Sequence, residues 1–547
     1  MNVAINFAGA QTAPSGEKRG IDVAVESLLS GLFRFGAQDV YPISIDSGAS
    51  LDGVRAIALR SGVEPERCQS VDPSELNGMT LFRQDPDLVR LAWIRQQFGA
   101  HAYSLCGLVH TMSGAQTMSL VGDCLTAPTQ AWDALICPSN AIREVVERLW
   151  ASWGEYSAAR MGARFECPVR LPVIPLGIDT DKFQPSPERR AAQRRALGVP
   201  EHAVVALCHG RLSYAFKQHP MPILLAAEQT ALAVDRPLYL VFSGYFHPAS
   251  FEADFRETAA VFCDRSHVRF VGNDDPDFPD GLWAGADLFI SLSDNIQESF
   301  GLTPVEAMAA GLPVIISDWD GYRDAIEPGQ EGFAAPTVMP GPGFGRALAD
   351  RYLTGEDVYG EYLAGASLST SVDIKATTDA LTALVSNEDL RRSMGAAGMA
   401  RARDVYDWRR IIPRYEELWT ELAAIRAGST LLVSTDGVSH PSYPDPFTRF
   451  EGFASASIGD ADKIVAIASH DDVKSIFAQR MNMFRADLLL DAASLVRLIQ
   501  LSRRDDGVNV AAAVAAFDDA PSVMRSLGWL LKMGICALVP AQTATQT

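Results

Sequence analysis

The sequence predicts an α/β protein of two doubly wound domains in tandem, with a mainly helical extension after them. Three observations carry that prediction. Strand-length apolar runs alternate with longer amphipathic stretches through residues 1–175, the pattern of a parallel sheet covered by helices on both faces. The alternation restarts after a Pro- and Arg-rich segment at 184–200. The 547 residues are 48% hydrophobic and 21% charged, an ordinary globular composition with room for about three domains.

Residues 3–8 read as a buried strand, 9–20 as a polar, glycine-containing loop, 21–35 as a helix and 40–45 as a second strand. Strands follow at 103–110 and 134–138, the latter leading into a helix at 141–150. Residues 173–183 look like a strand running into a connector. The second series has strands at 204–208, 238–242, 268–271, 288–292 and 314–316, with a helix at 303–310 among the segments between them. Residues 407–424 carry a bulky stripe at helical spacing: Trp408, Ile411, Ile412, Tyr415, Leu418, Trp419 and Leu422. The extension opens on a Pro-, Ser- and aromatic-rich loop at 439–450. It then reads as helices at 488–501, 508–517 and 523–533 and a short strand at 535–539, a winged-helix-like or small helical module. The expected divisions are 1–175, 176–405, the long helix at 406–427, and 428–547.

Charge and cysteine usage narrow the function. Acidic residues outnumber basic ones 67 to 47, for a net charge of −20. A protein that neutralises phosphate backbones needs a basic face, so nucleic acid is not an expected partner. The helix at 523–533 offers only Arg525 and Lys532, too little for a recognition helix. The eight cysteines are scattered and form no C-x-x-C pair, which reads as buried reduced thiols and a cytoplasmic location. The N-terminus lacks the charged segment and cleavage site of a signal peptide. No apolar run approaches the ~18 residues of a membrane span, which leaves only peripheral contact with a membrane open.

The densest chemical signal is at 293–315, S-D-N-I-Q-E-S-F-G-L-T-P-V-E-A-M-A-A-G-L-P-V-I. A strand ends near Leu292, a loop follows, and a helix starts near Thr303 and Pro304, both start signals. The amides of Phe300, Gly301, Leu302 and Thr303 then surround a helix N-terminus, a ready site for a diphosphate. Glu298 in the loop and Glu306 in the first turns of the helix face the same mouth. A carboxylate can accept hydrogen bonds from a pair of sugar hydroxyls, as ribose binding requires.

This segment resembles the E-x7-E motif of the family 4 retaining glycosyltransferases, which have the GT-B fold of two Rossmann-like domains facing a cleft. The resemblance covers roughly residues 1–425 and is weaker before residue 130. It includes Cys137-Pro-Ser-Asn-Ala-Ile-Arg, Val173-Ile-Pro-Leu-Gly-Ile-Asp, His209-Gly-Arg-Leu-Ser with Lys217, and Asp318-Trp-Asp-Gly-Tyr-Arg-Asp. It implies that the first domain faces the acceptor and that the long helix crosses back onto it. Arg211 and Lys217 would stabilise the leaving diphosphate without a metal. Glu306 would bind the donor ribose, and Glu298 would meet the transferred sugar. His110 would meet the same sugar from the first domain. Gly9 would border the donor in a loop that lacks the family's clean Gly-Gly pair, with Lys18 and Arg19 beside it.

The resemblance implies a nucleotide-sugar donor, UDP- or GDP-linked first, an acceptor hydroxyl on a glycan, lipid or other molecule, and no cofactor. Two alternatives stay open: a nucleotide-sugar 2-epimerase of the same fold, and a non-catalytic nucleotide-sugar-binding scaffold. The Asp-x-Asp pairs at Asp179/Asp181, Asp275/Asp277 and Asp318/Asp320 match a metal-binding pattern of another glycosyltransferase fold. In so acidic a chain such pairs arise by chance, and no metal is expected there. The loop at 9–18 lacks P-loop spacing, and the nine histidines show no H-E-x-x-H or other paired ligand spacing.

Overall fold

The computed structural model describes residues 2–8, 20–46, 49–273, 275, 278, 281–430, 440–504 and 506–541. Gly9, Lys18, Arg19 and Asp277 lie outside them. The chain divides into two compact units, Met1–Val438 and Ser439–Thr547.

The first unit holds the two expected doubly wound sheets. The first has six parallel strands: β1 (Val3–Phe7), β2 (Tyr41–Ile45), β3 (Cys68–Ser70), β4 (Thr80–Arg83), β5 (Ser104–Leu108) and β6 (Ala134–Ile136). Their order is β3-β2-β1-β4-β5-β6. The second has β7 (Val204–Leu212), β8 (Leu238–Phe246), β9 (His267–Gly272), β10 (Leu288–Ser291), β11 (Val314–Ser317) and β12 (Gly332–Ala335), in the order β12-β11-β10-β7-β8-β9. Each sheet starts in its middle, runs to one edge, then returns and runs to the other. The reversal falls between β1 and β4 in one sheet and between β7 and β10 in the other, and ligands bind beyond the strand ends at such reversals. All five residues of β1 are buried, as helices on both faces require.

Three strands escape the apolar-run pattern. β3 has only Cys68 buried, and β12 is a four-residue Gly- and Ala-rich strand. β4 ends on Arg83, which is buried because Asn6 and Asp46 accept from its Nη1 (2.7 and 2.5 Å) and Asp85 from its Nε (2.5 Å).

β7 and β8 run four residues past their expected ends, with His209 opposite Ser243 and Arg211 opposite Tyr245. Glycine makes this extension possible. A Cβ on Gly244 would lie 1.7 Å from the carbonyl oxygen of Gly210, and both glycines have positive φ (145° and 133°). Arg211 is thus held on a rigid strand end.

The Arg-rich segment contains a helix, Pro187–Ala196, capped by Ser186. Asp287, one residue before β10, accepts from Arg190 (2.5 Å), Arg194 (2.9 Å) and the amide of Val205 (2.8 Å), which docks the helix on the second sheet. In the first domain Arg95 and Asp133 form a fully buried bidentate pair (2.6 and 2.8 Å). Asp133 also accepts from the amides of Leu105 and Gln130.

The helix Trp408–Gly428 buries the whole predicted stripe. Tyr415 and Trp419 pack on Phe82 of β4, Trp408 donates to Ser27 Oγ (3.0 Å), and Arg426 reaches the carbonyls of Gly78 and Met79. A helix that follows the second domain in sequence therefore packs on the first.

The second unit has helices His470–Phe477, Ala492–Ser502, Val510–Val514 and Ala520–Lys532 around a three-stranded antiparallel sheet. Its middle strand, Lys463–Ala466, precedes the helices and has no counterpart in the expected pattern. The expected helix at 508–517 is split, because Val508 pairs with Ile464 and Asn509 then caps a new helix. Leu498, Val523, Leu527, Leu530 and Ile535 form the core of this unit.

Candidate functional site

The site forms where the loops after β7, β10 and β11 meet, at the reversal point of the second sheet. Arg211 ends β7 and Lys217 lies in the loop that follows; Glu298 lies in the loop after β10. Lys217 Nζ and Glu298 Oε2 form a close ion pair. Burial works against the Lys217 ammonium, but Glu298 and Tyr322 overcome it and push its pKa up. Arg211 donates to Gln297 Oε1 (3.2 Å) and stands 5.9 Å from the centre of the Phe216 ring.

The helix after this loop is Leu302–Ala309, with Gly301 as its N-cap at φ 95°. Thr303 is therefore inside the first turn, not the cap that its sequence neighbours suggest. The chain can turn at Gly301 because no side chain stands there: a Cβ would lie 2.3 Å from the Tyr322 ring. The amides of Leu302 and Thr303 belong to the first turn and have no intrahelical acceptor; Pro304 brings no amide. Phe300 is buried and packs on Tyr406, so its ring is a structural anchor while its backbone borders the mouth.

Glu306 is one turn further along and only half-buried. Burial raises its pKa to about 7, with Lys217 and Lys182 pulling the other way. Both glutamates thus feel the charge of Lys217, one through direct contact. Asp294, also after β10, accepts from the amide of His219 (3.1 Å) and is raised by burial to about 7.

The first domain closes on this loop. The Ser299 hydroxyl donates to the carbonyl of His110, and Ser139 donates back to the carbonyl of Ser299 (2.8 Å). The Asp324 carboxylate takes the Asn140 amide (2.7 Å) at the start of the helix Asn140–Met161. His110 lies just past the end of β5. Its Nε2 donates to the carbonyl of Gln84 (2.7 Å), which leaves Nδ1 as the acceptor of a neutral ring; burial lowers its pKa despite that bond. Tyr359, in the helix Tyr359–Ser367, accepts from Gln297 Nε2 (3.0 Å) and bonds Ser113 (2.8 Å), a second link between the domains.

Among the described residues buried polar atoms without a hydrogen-bond partner occur in both domains, and four of them border this mouth: Arg211 Nε, Asp294 Oδ1, Thr303 Oγ1 and Asp320 Oδ1. Proteins leave few such atoms unpaired, and their presence around one mouth points to a ligand that completes them. Of these residues, Asp294 and the clasping residues Gln297, Ser299 and Tyr359 escaped sequence reasoning. The first three are in the E-x7-E segment itself, but nothing in the sequence ties Tyr359, some sixty residues on, to the mouth.

Three of the Asp-x-Asp carboxylates are engaged in ion pairs. Asp179 pairs with Arg34 and Asp181 with Arg409, while Asp318 holds Arg323. Among the described residues no group of three or more His, Cys, Asp or Glu is placed to hold a metal ion.

Residues 189–340 match the family model of glycosyl transferases, group 1. The phosphatidyl-myo-inositol mannosyltransferase of Mycobacterium tuberculosis (strain CDC 1551 / Oshkosh) is 27% identical over 235 residues, 43% of this chain and 50% of that protein. The D-inositol 3-phosphate glycosyltransferase of Corynebacterium aurimucosum is 32% identical over 167 residues, 30% of this chain and 39% of that protein. The chain thus spans half or less of the length of these relatives. Among solved structures, Anabaena Alr3699/HepE in complex with UDP and glucose aligns at a TM-score of 0.49 and 15% identity, covering 77% of this chain and 100% of that one.

Proposed function

We propose that the chain is a retaining, metal-independent glycosyltransferase that moves a sugar from a nucleoside-diphosphate donor to an acceptor hydroxyl. The observation that carries this reading is the set of incompletely bonded polar atoms at the second sheet's reversal point, beside two cations and a helix N-terminus. The family match over 189–340 spans these residues.

In this reading Glu306 accepts from the ribose hydroxyls, and the amides at the head of the helix Leu302–Ala309 hold the diphosphate. Arg211 and Lys217 meet the charge that develops as the bond from the anomeric carbon to the phosphate oxygen breaks. The acceptor oxygen bonds to the anomeric carbon on the same face, and its proton passes to the departing phosphate oxygen. No protein base is assigned. Glu298, held by Lys217, and the free Nδ1 of His110 contact the hydroxyls of the sugar.

The donor is proposed to be a UDP- or GDP-sugar. No helix among the described residues is long and apolar enough to cross a membrane, and an acceptor at a membrane surface stays within the proposal. All eight cysteines are free thiols, which supports a cytoplasmic setting.

A thermal-shift panel of UDP-, GDP-, ADP- and TDP-sugars tests the donor. One nucleotide should raise the melting temperature by several degrees; no shift with any of them refutes the reading. Release of nucleotide should then depend on an acceptor. Inositol phosphate and phosphatidylinositol, named for the two relatives, head that panel. Acceptor-independent conversion of the donor would instead identify an epimerase, and binding without turnover a scaffold.

A further inference from the structure

Asp320 is the one non-glycine residue with positive φ (43°) among the described residues. Aspartate tolerates this conformation better than most residues, yet glycine adopts it at no steric cost. The backbone here is pressed against the Glu298 loop: a Cβ on the next residue, Gly321, would lie 2.3 Å from the carbonyl oxygen of Ser299 and 2.4 Å from the Cα of Phe300. Trp319, on the other side, donates to the carbonyl of Asn295 (3.0 Å) in the same loop. Asp320 is thereby fixed beside Glu298.

Its carboxyl is only partly provided for. The amide of Gly321 donates to it, but Oδ1 is out of contact with water and has no hydrogen-bond partner among the described residues. Burial, and the charge of Glu298 after it, drive the group toward its protonated form. Left-handed backbone, an unbonded buried oxygen and a neighbouring carboxylate are three costs at one residue, and glycine would remove all three. Strain of this kind persists where a contact outside the resting fold uses it.

We propose that Asp320 is a donor-specificity residue, whose carboxyl hydrogen-bonds a hydroxyl of the transferred sugar beside Glu298. This rests on the glycosyltransferase reading above. A carboxyl suits the place. It accepts from a hydroxyl, and in its protonated form it can donate to one as well.

Asp320→Gly suits the backbone and removes only the side chain, so it separates a structural from a binding role. Asp320→Asn keeps a donor and an acceptor. The probes are UDP and GDP, and UDP-glucose, UDP-N-acetylglucosamine and GDP-mannose, with the best donor used for kinetics. The glycine variant should melt at or above the wild-type temperature and bind the free nucleotide equally. Its kcat/KM for the nucleotide-sugar should fall about tenfold or more, the loss from one buried hydrogen bond, with partial recovery in the asparagine variant. Wild-type kcat/KM in Asp320→Gly overturns the assignment, as does an equal loss of affinity for the free nucleotide. A wild-type protein that binds no nucleotide-sugar at all refutes the underlying glycosyltransferase reading as well, so the two failures are distinguishable.

Discussion

Lys217 and Glu298 join the loop after β7 to the loop after β10 through one ion pair, at the point where the strand order of the second sheet reverses. The pair neutralises a cation that the proposed reaction needs at the diphosphate. An arriving donor therefore meets a poised lysine, and Glu298 can turn to the hydroxyls of the sugar.

Replacing Lys217 by alanine removes the cation and leaves Glu298 without its ionic partner. Turnover should fall by about 2 to 4 kcal/mol, roughly 30- to 1000-fold. Lys217→Arg should retain more activity than Lys217→Ala. Steady-state kinetics decide this, and unchanged turnover in the alanine variant removes Lys217 from the mechanism.

Glu306 carries a pH signature. Burial raises its pKa from 4.5 to about 7, so the folded protein holds this proton more tightly than the unfolded chain. That contribution is fully present below about pH 4.5 and is lost as pH rises through 7. Glu306→Gln cannot ionise and escapes the loss. Its stability relative to wild type should therefore improve between pH 5 and pH 8, by about 1 to 3 kcal/mol, while its affinity for the donor weakens. Calorimetry at the two pH values measures the first effect and titration calorimetry the second.

Activity should survive removal of divalent metals. In the proposed mechanism Arg211 and Lys217 supply the two positive charges that meet the diphosphate, the task a metal would otherwise perform. Assays after dialysis against a chelator test this, and loss of activity restored by magnesium or manganese would return attention to the acidic loops.

Asp133 serves stability. Truncating it to alanine leaves the Arg95 guanidinium buried without its carboxylate, at a cost of about 3 to 5 kcal/mol. Urea unfolding should show that loss. Donor affinity of the folded fraction should stay at the wild-type level, because the pair lies within the first domain, away from Lys217 and Glu306.

The two doubly wound domains were legible because their strands are buried on both faces and leave apolar runs at 3–5, 204–208 and 288–290. β4 was hidden because its buried Arg83 is satisfied not only by its near neighbour Asp85 but by Asn6 and Asp46, which lie far away in the chain. The ends of β7 and β8 were hidden because His209 to Leu212 are strand only through pairing with Ser243 to Phe246.

By itself the sequence determined the two-sheet architecture, the buried stripe of the long helix, and the loop-to-helix segment that carries Glu298 and Glu306. These are local matters of periodicity, composition and spacing, read along one stretch of chain. Only the tertiary structure decided that Lys217 pairs with Glu298, that Ser139 and His110 clasp Ser299, that Tyr359 joins the mouth, and that Asp320 stands strained beside it. Each of those depends on groups brought together from distant parts of the chain, and on burial that turns an ordinary acidic loop into a place where a single unpaired oxygen is costly.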